Sequence, residues 1–169
     1  MRRVGHFIEN VIIDKISGKL AAYLVFLTLV LVLSEVFARY FFNRPLQLAD
    51  EFGGYLLVAI TMVGLAYTLR EKGHVRVEMV VDRVSAKIRK WIRVVSLSLA
   101  TLFTPIFIFA SYELVAFSHK LGVKSSTWVR MLQEIPQSIL IFGAILLLLQ
   151  LIVMLIKAIK ELKIPEGEA

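Results

Sequence analysis

Residues 20–42 read LAAYLVFLTLVLVLSEVFARYFF, a stretch of 23 residues in which Glu35 and Arg39 are the only charged side chains. A helix of this length spans roughly 34 Å, which is enough to cross the hydrocarbon core of a bilayer with some tilt. The rest of the chain is similarly apolar, since 58% of its 169 residues are hydrophobic and the mean hydropathy is +0.76. Soluble domains hold about 45–50% apolar residues, so the composition predicts an integral membrane protein.

Three further apolar segments are long enough to cross a membrane, and two charged stretches carry apolar side chains at helical spacing. The apolar segments are 51–69, 91–117 and 135–156. The two amphipathic stretches, 4–15 and 76–90, are typical of helices that lie in the membrane interface. With a short tail at 157–169, these segments predict a single all-α membrane domain. We expect four transmembrane helices, an interfacial helix at the N-terminus and another in the cytoplasmic middle loop.

The distribution of basic residues predicts the orientation in the membrane. Of the 20 Lys and Arg residues, 15 lie in the N-terminal stretch, the middle loop and the C-terminal tail, whereas four lie in the two connections on the opposite side. Because basic loops stay on the cytoplasmic side, we expect both termini to be cytoplasmic. Residues 1–19 mix polar and apolar side chains and do not resemble a signal peptide, so a retained N-terminus is expected.

Two charged residues inside the first helix are candidates for a functional or a structural role. Glu35 and Arg39 are four residues apart with the acid first, which is the favourable order for an ion pair on one helix face. A carboxylate inside the membrane is a candidate proton or cation site by default. A carboxylate paired with an arginine near the interface favours a structural role instead.

Further polar residues fall on the outer side of the predicted membrane domain. Asp50 and Glu51 open the second helix, where Asp50 would serve as the N-cap. Glu113 falls towards the same side, so a polar cluster with Arg39 could join the first three helices or receive a partner from outside. Trp128 lies in the polar loop between the third and fourth helices and suits the headgroup region.

Small and polar residues inside the apolar segments indicate contacts between helices. Gly53, Gly54 and Gly64 would let another helix approach the second helix closely. Gln150 is the one strongly polar residue deep in the fourth segment, and we expect its amide to hydrogen-bond a neighbouring helix.

Several function classes are excluded or disfavoured by composition. The chain has no cysteine, which excludes disulfides, thiolate metal sites and cysteine nucleophiles. The three histidines all fall outside the apolar cores, which argues against a haem-carrying bundle. The net charge of +7 comes from residues that flank apolar segments, so it does not indicate nucleic-acid binding. Motifs for phosphate loops, metalloproteases and serine hydrolases are absent, and we expect no enzyme activity, no cofactor and no metal site.

Two stretches carry a family resemblance that covers essentially the whole chain. They are SEVFARYFFNRPLQLADEFGGYLLVAITMVGLAYTLREKGHVRVEMVVDRV at 34–84 and SSTWVRMLQEIPQSILIFG at 125–143. Together they resemble the small four-helix membrane subunit, or Q subunit, of tripartite ATP-independent periplasmic (TRAP) transporters.

The resemblance implies a non-catalytic subunit in the inner membrane of a bacterium or archaeon. Its implied partners are membrane lipids, a large membrane subunit that moves an organic acid by a sodium-coupled elevator mechanism, and a periplasmic binding protein. The small subunit would bind the static scaffold of the large subunit and help to dock the binding protein on its outer face.

Two other functions stay open on the sequence. A small proton-coupled exporter would use Glu35 to alternate between a proton and a cationic drug, which requires a carboxylate free of an ion pair. A membrane anchor of an enzyme complex would instead dock a soluble partner through residues 77–91 on the cytoplasmic side.

Overall fold

The computed structural model describes residues 17–43, 47–70, 85–127 and 129–163, which form four long helices. These are α1 Lys19–Phe42, α2 Leu48–Arg70, α3 Ala86–Leu121 and α4 Glu134–Lys163. Each is long and apolar enough to cross a membrane, so the predicted all-α fold with four spans is confirmed. The predicted interfacial helix at 4–15 lies outside the described residues. So does most of the stretch 76–90, of which residues 86–90 form the first turns of α3.

The helices form an open row in the order α1, α2, α4, α3. The main packing contacts join α1 to α2, α2 to α4, and α4 to α3, so in the described structure α1 and α3 lie on opposite flanks. One end of the row, the loop end, holds Asn43 and the connection 122–133. The other end, the tail end, holds Lys19, Arg70 and Ala86.

The contact between α2 and α4 depends on small residues. A Cβ atom added to Gly143 of α4 would lie 2.6 Å from the Met62 Cβ and 2.7 Å from the Met62 backbone carbon and oxygen. Ala59 and Ala66 of α2 and Ala144 of α4 are also buried. Because no hydrophobic effect drives helices together in lipid, close backbone approach at such residues supplies the packing energy.

The contact between α3 and α4 follows a seven-residue repeat. Its buried members on α3 are Leu97, Thr104, Ser111 and Ser118. The Thr104 hydroxyl donates to the Ala100 carbonyl at 2.7 Å, and the Ser111 hydroxyl donates to the Phe107 carbonyl at 2.8 Å. The repeat of seven is typical of helices that pack at a small angle, and the hydroxyls are satisfied within their own helix.

Polar side-chain contacts join α3 and α4 near both ends of their interface. At the tail end, Arg93 Nη1 lies 2.6 Å from Glu161 Oε2, and both side chains are partly exposed. At the loop end, His119 Nδ1 lies 2.5 Å from Glu134 Oε2. The two pairs therefore fix the register of the antiparallel helices.

The start of α1 is attached to the middle of α2. The buried Ser17 hydroxyl donates to the Val63 carbonyl oxygen, and a Cβ atom added to Gly18 would lie 2.8 Å from the Tyr67 ring. Further along, Gly64 lies opposite Ala21, with a built Cβ 3.9 Å from the Ala21 Cβ. Of the glycines that the sequence indicated on α2, Gly64 therefore faces a helix. Gly53 and Gly54 have no such neighbour within 4 Å in the described structure.

Candidate functional site

Glu35 is buried where α1 meets the start of α2. Its side chain is 6% exposed, and its Oε1 accepts a hydrogen bond from the backbone N–H of Gln47 at 3.1 Å. Gln47 directly precedes α2, so the carboxylate lies at a helix N-terminus, where the backbone dipole stabilises negative charge. Its Oε2 has no hydrogen-bond partner among the described residues. Glu35 therefore ties α1 to α2 at the loop end.

Glu35 and Arg39, whose spacing is favourable for an ion pair, do not form one within the described structure. Glu35 lies on the buried face of α1 with Ala38, whereas Arg39 is exposed in the last turn of the helix. The carboxylate is directed to the start of α2, and the guanidinium lies near the carbonyl end of α1, which favours a cation. Each charge thus faces a different helix end.

Glu51 is the second buried carboxylate at the loop end. Its side chain is 5% exposed; Oε1 accepts from the Tyr55 hydroxyl at 3.2 Å and Oε2 accepts from the Thr127 hydroxyl. The Thr127 hydroxyl in turn lies 2.8 Å from the Ser125 hydroxyl. A buried charge that accepts several hydrogen bonds is stable, so Glu51 anchors the loop 122–133 to α2.

The loop 122–133 has the shape that this anchor requires. Gly122 ends α3 with a φ of 57°, and its N–H donates to the His119 carbonyl at 3.2 Å. The loop then doubles back: the Ser125 N–H donates to the Met131 carbonyl at 2.8 Å, and the Gln133 N–H donates to the Val123 carbonyl at 3.0 Å. This hairpin brings Thr127 to Glu51, although the two residues are 76 positions apart.

The remaining predicted outer-face residues do not form one cluster. Asp50 is exposed in the first turn of α2; because the helix begins at Leu48, Asp50 is not its N-cap. Glu113 is exposed on α3, on the opposite flank of the row from Arg39. In the described structure Arg39 and Glu113 therefore lie apart. Trp128 lies outside the described residues.

Gln150 is buried deep in α4, but its amide is unsatisfied. The side chain is 1% exposed, and neither its oxygen nor its nitrogen has a hydrogen-bond partner among the described residues. The predicted bond to a neighbouring helix is thus not found. Leu146, one turn earlier, packs against Ala66 and Tyr67, so the contact surface at this depth is apolar and offers the amide no partner.

A shallow groove between α2 and α4 lies next to the Glu51 anchor. It is lined by Tyr55, Val58, Gln133, Pro136, Gln137 and Leu140 and has a volume of about 250 Å³. No group of three or more potential metal ligands occurs within the described residues. The loop end therefore presents hydrogen-bonding groups and a surface of fixed shape to a partner.

Sequence reasoning identified Glu35 and Glu51 but missed their partners. Gln47 and Thr127 were not singled out, and their roles depend on helix register and loop path. The hydroxyl residues at 125–127 and the acidic pair Asp50–Glu51 fall on the same side of the predicted membrane domain. This arrangement is the signal that could have indicated the contact between Thr127 and Glu51.

Comparison with known proteins identifies the family of this chain. A family model described as "Tripartite ATP-independent periplasmic transporters, DctQ component" matches residues 28–161. The match runs from within α1 to within the last turns of α4 and includes both carboxylate contacts of the loop end. The comparison with curated proteins returned no match. The chain is a multi-pass membrane protein, and it belongs to the DctQ component family of the tripartite ATP-independent periplasmic transporters.

Proposed function

We propose that this chain is the non-catalytic small membrane subunit of a sodium-coupled organic acid transporter. It packs on the static scaffold of a large elevator-type subunit and helps to dock a periplasmic binding protein. The observation that carries the proposal is the family match over residues 28–161. The open row of helices supports it, because a row leaves whole helix flanks available for lateral packing.

The side chains support an accessory role over a transporting one. Within the described residues, the buried carboxylates Glu35 and Glu51 are each held by hydrogen bonds at the loop end. The polar residue deep in the row is the neutral Gln150. A proton or cation path needs ionisable groups along the bundle interior, and these two carboxylates both lie at one end.

The loop end is proposed to face the periplasm and to receive the binding protein. The bias of 15 basic residues to four supports a cytoplasmic tail end, with both termini on that side. The hairpin 122–133 is fixed to α2 through Glu51, so the loop end presents a rigid surface. A rigid surface loses less entropy on binding than a flexible one.

The exporter alternative gains no support from the geometry around Glu35. That carboxylate closes the contact between α1 and α2 through the Gln47 N–H and lies at the loop end of the row. Its position fits a structural role, as an anion at the start of α2.

The first test is co-purification. The chain is expressed with the large membrane subunit of the same transporter and captured by a tag in mild detergent. The co-eluting proteins are then identified by mass spectrometry. A stable complex with a multi-helix subunit is expected. Recovery of the chain only as a homo-oligomer that exports cations would overturn the proposal.

A second test addresses the docking role at the loop end. Asp50→Lys should weaken binding of the periplasmic protein to the reconstituted membrane complex while leaving the complex intact, because Asp50 is exposed beside the fixed hairpin. Lys160→Glu makes a charge change of equal size at the tail end and serves as the control. Equal binding by both variants would argue against docking at Asp50.

A further inference from the structure

Helix α3 has two opposite faces of different character. The buried face, with Leu97, Thr104, Ser111 and Ser118, packs on α4. About half a turn away lies a second set of residues, which we call the outward stripe. Its members are Leu102, Ile106, Phe109, Glu113 and Phe117. They follow one another at intervals of three or four residues, so they share one helix face.

The outward stripe is exposed along its length. Leu102, Ile106, Phe109 and Phe117 are each at least 60% exposed, and Glu113 is exposed as well. Since α3 is at the flank of the row, its face opposite α4 is directed away from the other described helices. Within the described structure, the stripe is a free surface of apolar side chains with a carboxylate in it.

Glu113 differs from the other carboxylates of the four helices. Glu35, Glu51, Glu134 and Glu161 each contact a partner in the described chain. Asp50 is in the first turn of α2, where the helix dipole favours it. Glu113 has no hydrogen-bond or ion-pair partner among the described residues, and the helix dipole does not favour an acid towards the C-terminal end of α3.

The position of Glu113 along the membrane-spanning helix makes the lack of a partner among the described residues energetically costly. It precedes His119 by six residues, which is about 9 Å along the helix axis from the level of the His119–Glu134 pair. It follows Arg93 by 20 residues, or about 30 Å, the thickness of a hydrocarbon core. A carboxylate at the edge of the hydrocarbon and facing lipid is costly, and a partner cation lowers that cost.

We propose that the outward stripe of α3 is the surface that contacts the large membrane subunit, and that a Lys or Arg on a helix of that subunit pairs with Glu113. The inference rests on the proposed function and adds to it the face and the chemistry of the contact. The flank formed by α1 is the competing surface, since Phe26 and Phe37 are more than 60% exposed. Its exposed charge, Arg39, lies in the last turn of α1, where a long side chain reaches the headgroups and needs no protein partner.

The first experiment separates assembly from folding. Glu113→Leu should reduce the large subunit recovered with the tagged chain by about tenfold or more, because the partner cation is left unpaired in the contact. The same substitution should leave the thermal midpoint of the isolated chain unchanged or raise it, because Glu113 has no partner among the described residues of that chain. Lys160→Leu, which also replaces one exposed charged side chain by leucine, is the matched control and should leave recovery unchanged.

The second experiment maps the face directly. A photo-crosslinking amino acid is placed at Phe109 on the outward stripe or at Phe26 on α1, which are 65% and 61% exposed. We expect a crosslink to the large subunit from position 109 and none from position 26. A crosslink from position 26 alone, from neither position, or from position 109 to a second copy of this chain would overturn the proposal.

The two proposals fail in different ways. If the wild-type chain recovers no large subunit at all, the proposed function fails. If the wild-type complex forms, but Glu113→Leu assembles as well as Lys160→Leu, the function stands and the assignment of the α3 face is wrong.

Discussion

Replacement of Gly143 by alanine tests whether the α2–α4 contact is as close as the structure shows. The added Cβ would lie 2.6 Å from the Met62 Cβ and 2.7 Å from the Met62 carbonyl carbon and oxygen. Carbon atoms in van der Waals contact lie about 3.5–4.0 Å apart, so α2 and α4 would have to separate by close to 1 Å. A change of side-chain rotamer at Met62 cannot relieve the clash, because the Cβ and the backbone do not move with the rotamer.

The expected change in the free energy of unfolding combines two opposing effects. Alanine in place of glycine in a helix interior stabilises by roughly 0.5–1 kcal/mol. Overpacking of a close contact destabilises by roughly 1–3 kcal/mol. Gly54→Ala on α2 carries the first effect alone, because a Cβ built at Gly54 meets nothing within 4 Å in the described structure. The difference between the two variants therefore isolates the clash at about 1–3 kcal/mol.

The assay is thermal unfolding of the two purified variants in the same detergent, followed by loss of monodisperse protein on size-exclusion chromatography. For a chain of this length, about 1–3 kcal/mol corresponds to midpoints roughly 2–12 °C apart, with Gly143→Ala lower. Gly54→Ala should match or exceed the wild type. If Gly143→Ala were as stable as Gly54→Ala, the packing of α2 on α4 described above would be refuted.

Three further changes test contacts at the two ends of the row. Glu35→Gln should lower the free energy of unfolding by about 1 kcal/mol, since the charge at the start of α2 is lost while an oxygen acceptor remains. An unchanged melting midpoint would contradict the role of Glu35 at the start of α2. Thr127→Val should cost about 1.5–3 kcal/mol and expose the loop to limited proteolysis, because Glu51 loses a donor, whereas Thr127→Ser should be tolerated. Arg93→Glu should cost at most about 1 kcal/mol, since the pair is partly exposed, and Glu161→Arg in the same chain should restore stability.

The four helices could be predicted from the sequence, and each helix is longer than the apolar segment that indicates it. The apolar segments 91–117 and 135–156 became α3 Ala86–Leu121 and α4 Glu134–Lys163. Hydropathy marks where the hydrocarbon ends, whereas the helix continues into the headgroup region, where charged side chains are solvated and backbone hydrogen bonds still form. The polar side-chain contacts of α3 with α4 lie in these extensions or at their edges.

The sequence did not reveal which glycines lie at contacts between helices. Gly53, Gly54 and Gly64 were equally good candidates on sequence, yet the tightest contact in the row is at Gly143. A glycine in a helix indicates that something other than propensity selects it, but not on which side a neighbour lies. That depends on the rotation of each helix and on the packing order α1, α2, α4, α3, which connection lengths do not determine.

The buried carboxylates show the same limit of prediction from sequence. Glu35 and Glu51 were identified by their position in or next to apolar segments, which is local information. Their partners, the Gln47 N–H and the Thr127 hydroxyl, are 12 and 76 positions away along the chain. The local rule for helix pairs placed Arg39 beside Glu35, but the free N–H groups at the start of α2 compete for the same carboxylate and bind it.

An open row distributes stability differently from a closed bundle. Among the described residues its main contacts are three helix-to-helix interfaces in series, so α1 depends chiefly on α2, and α3 depends chiefly on α4. In such an arrangement the stability is close to a sum over neighbouring contacts, as in linear repeat proteins. A partner that binds one flank adds an interface and stabilises the folded chain by mass action. Since the outward stripe contains a carboxylate that lipid disfavours, the flank at α3 gains more from a protein partner than the flank at α1 does.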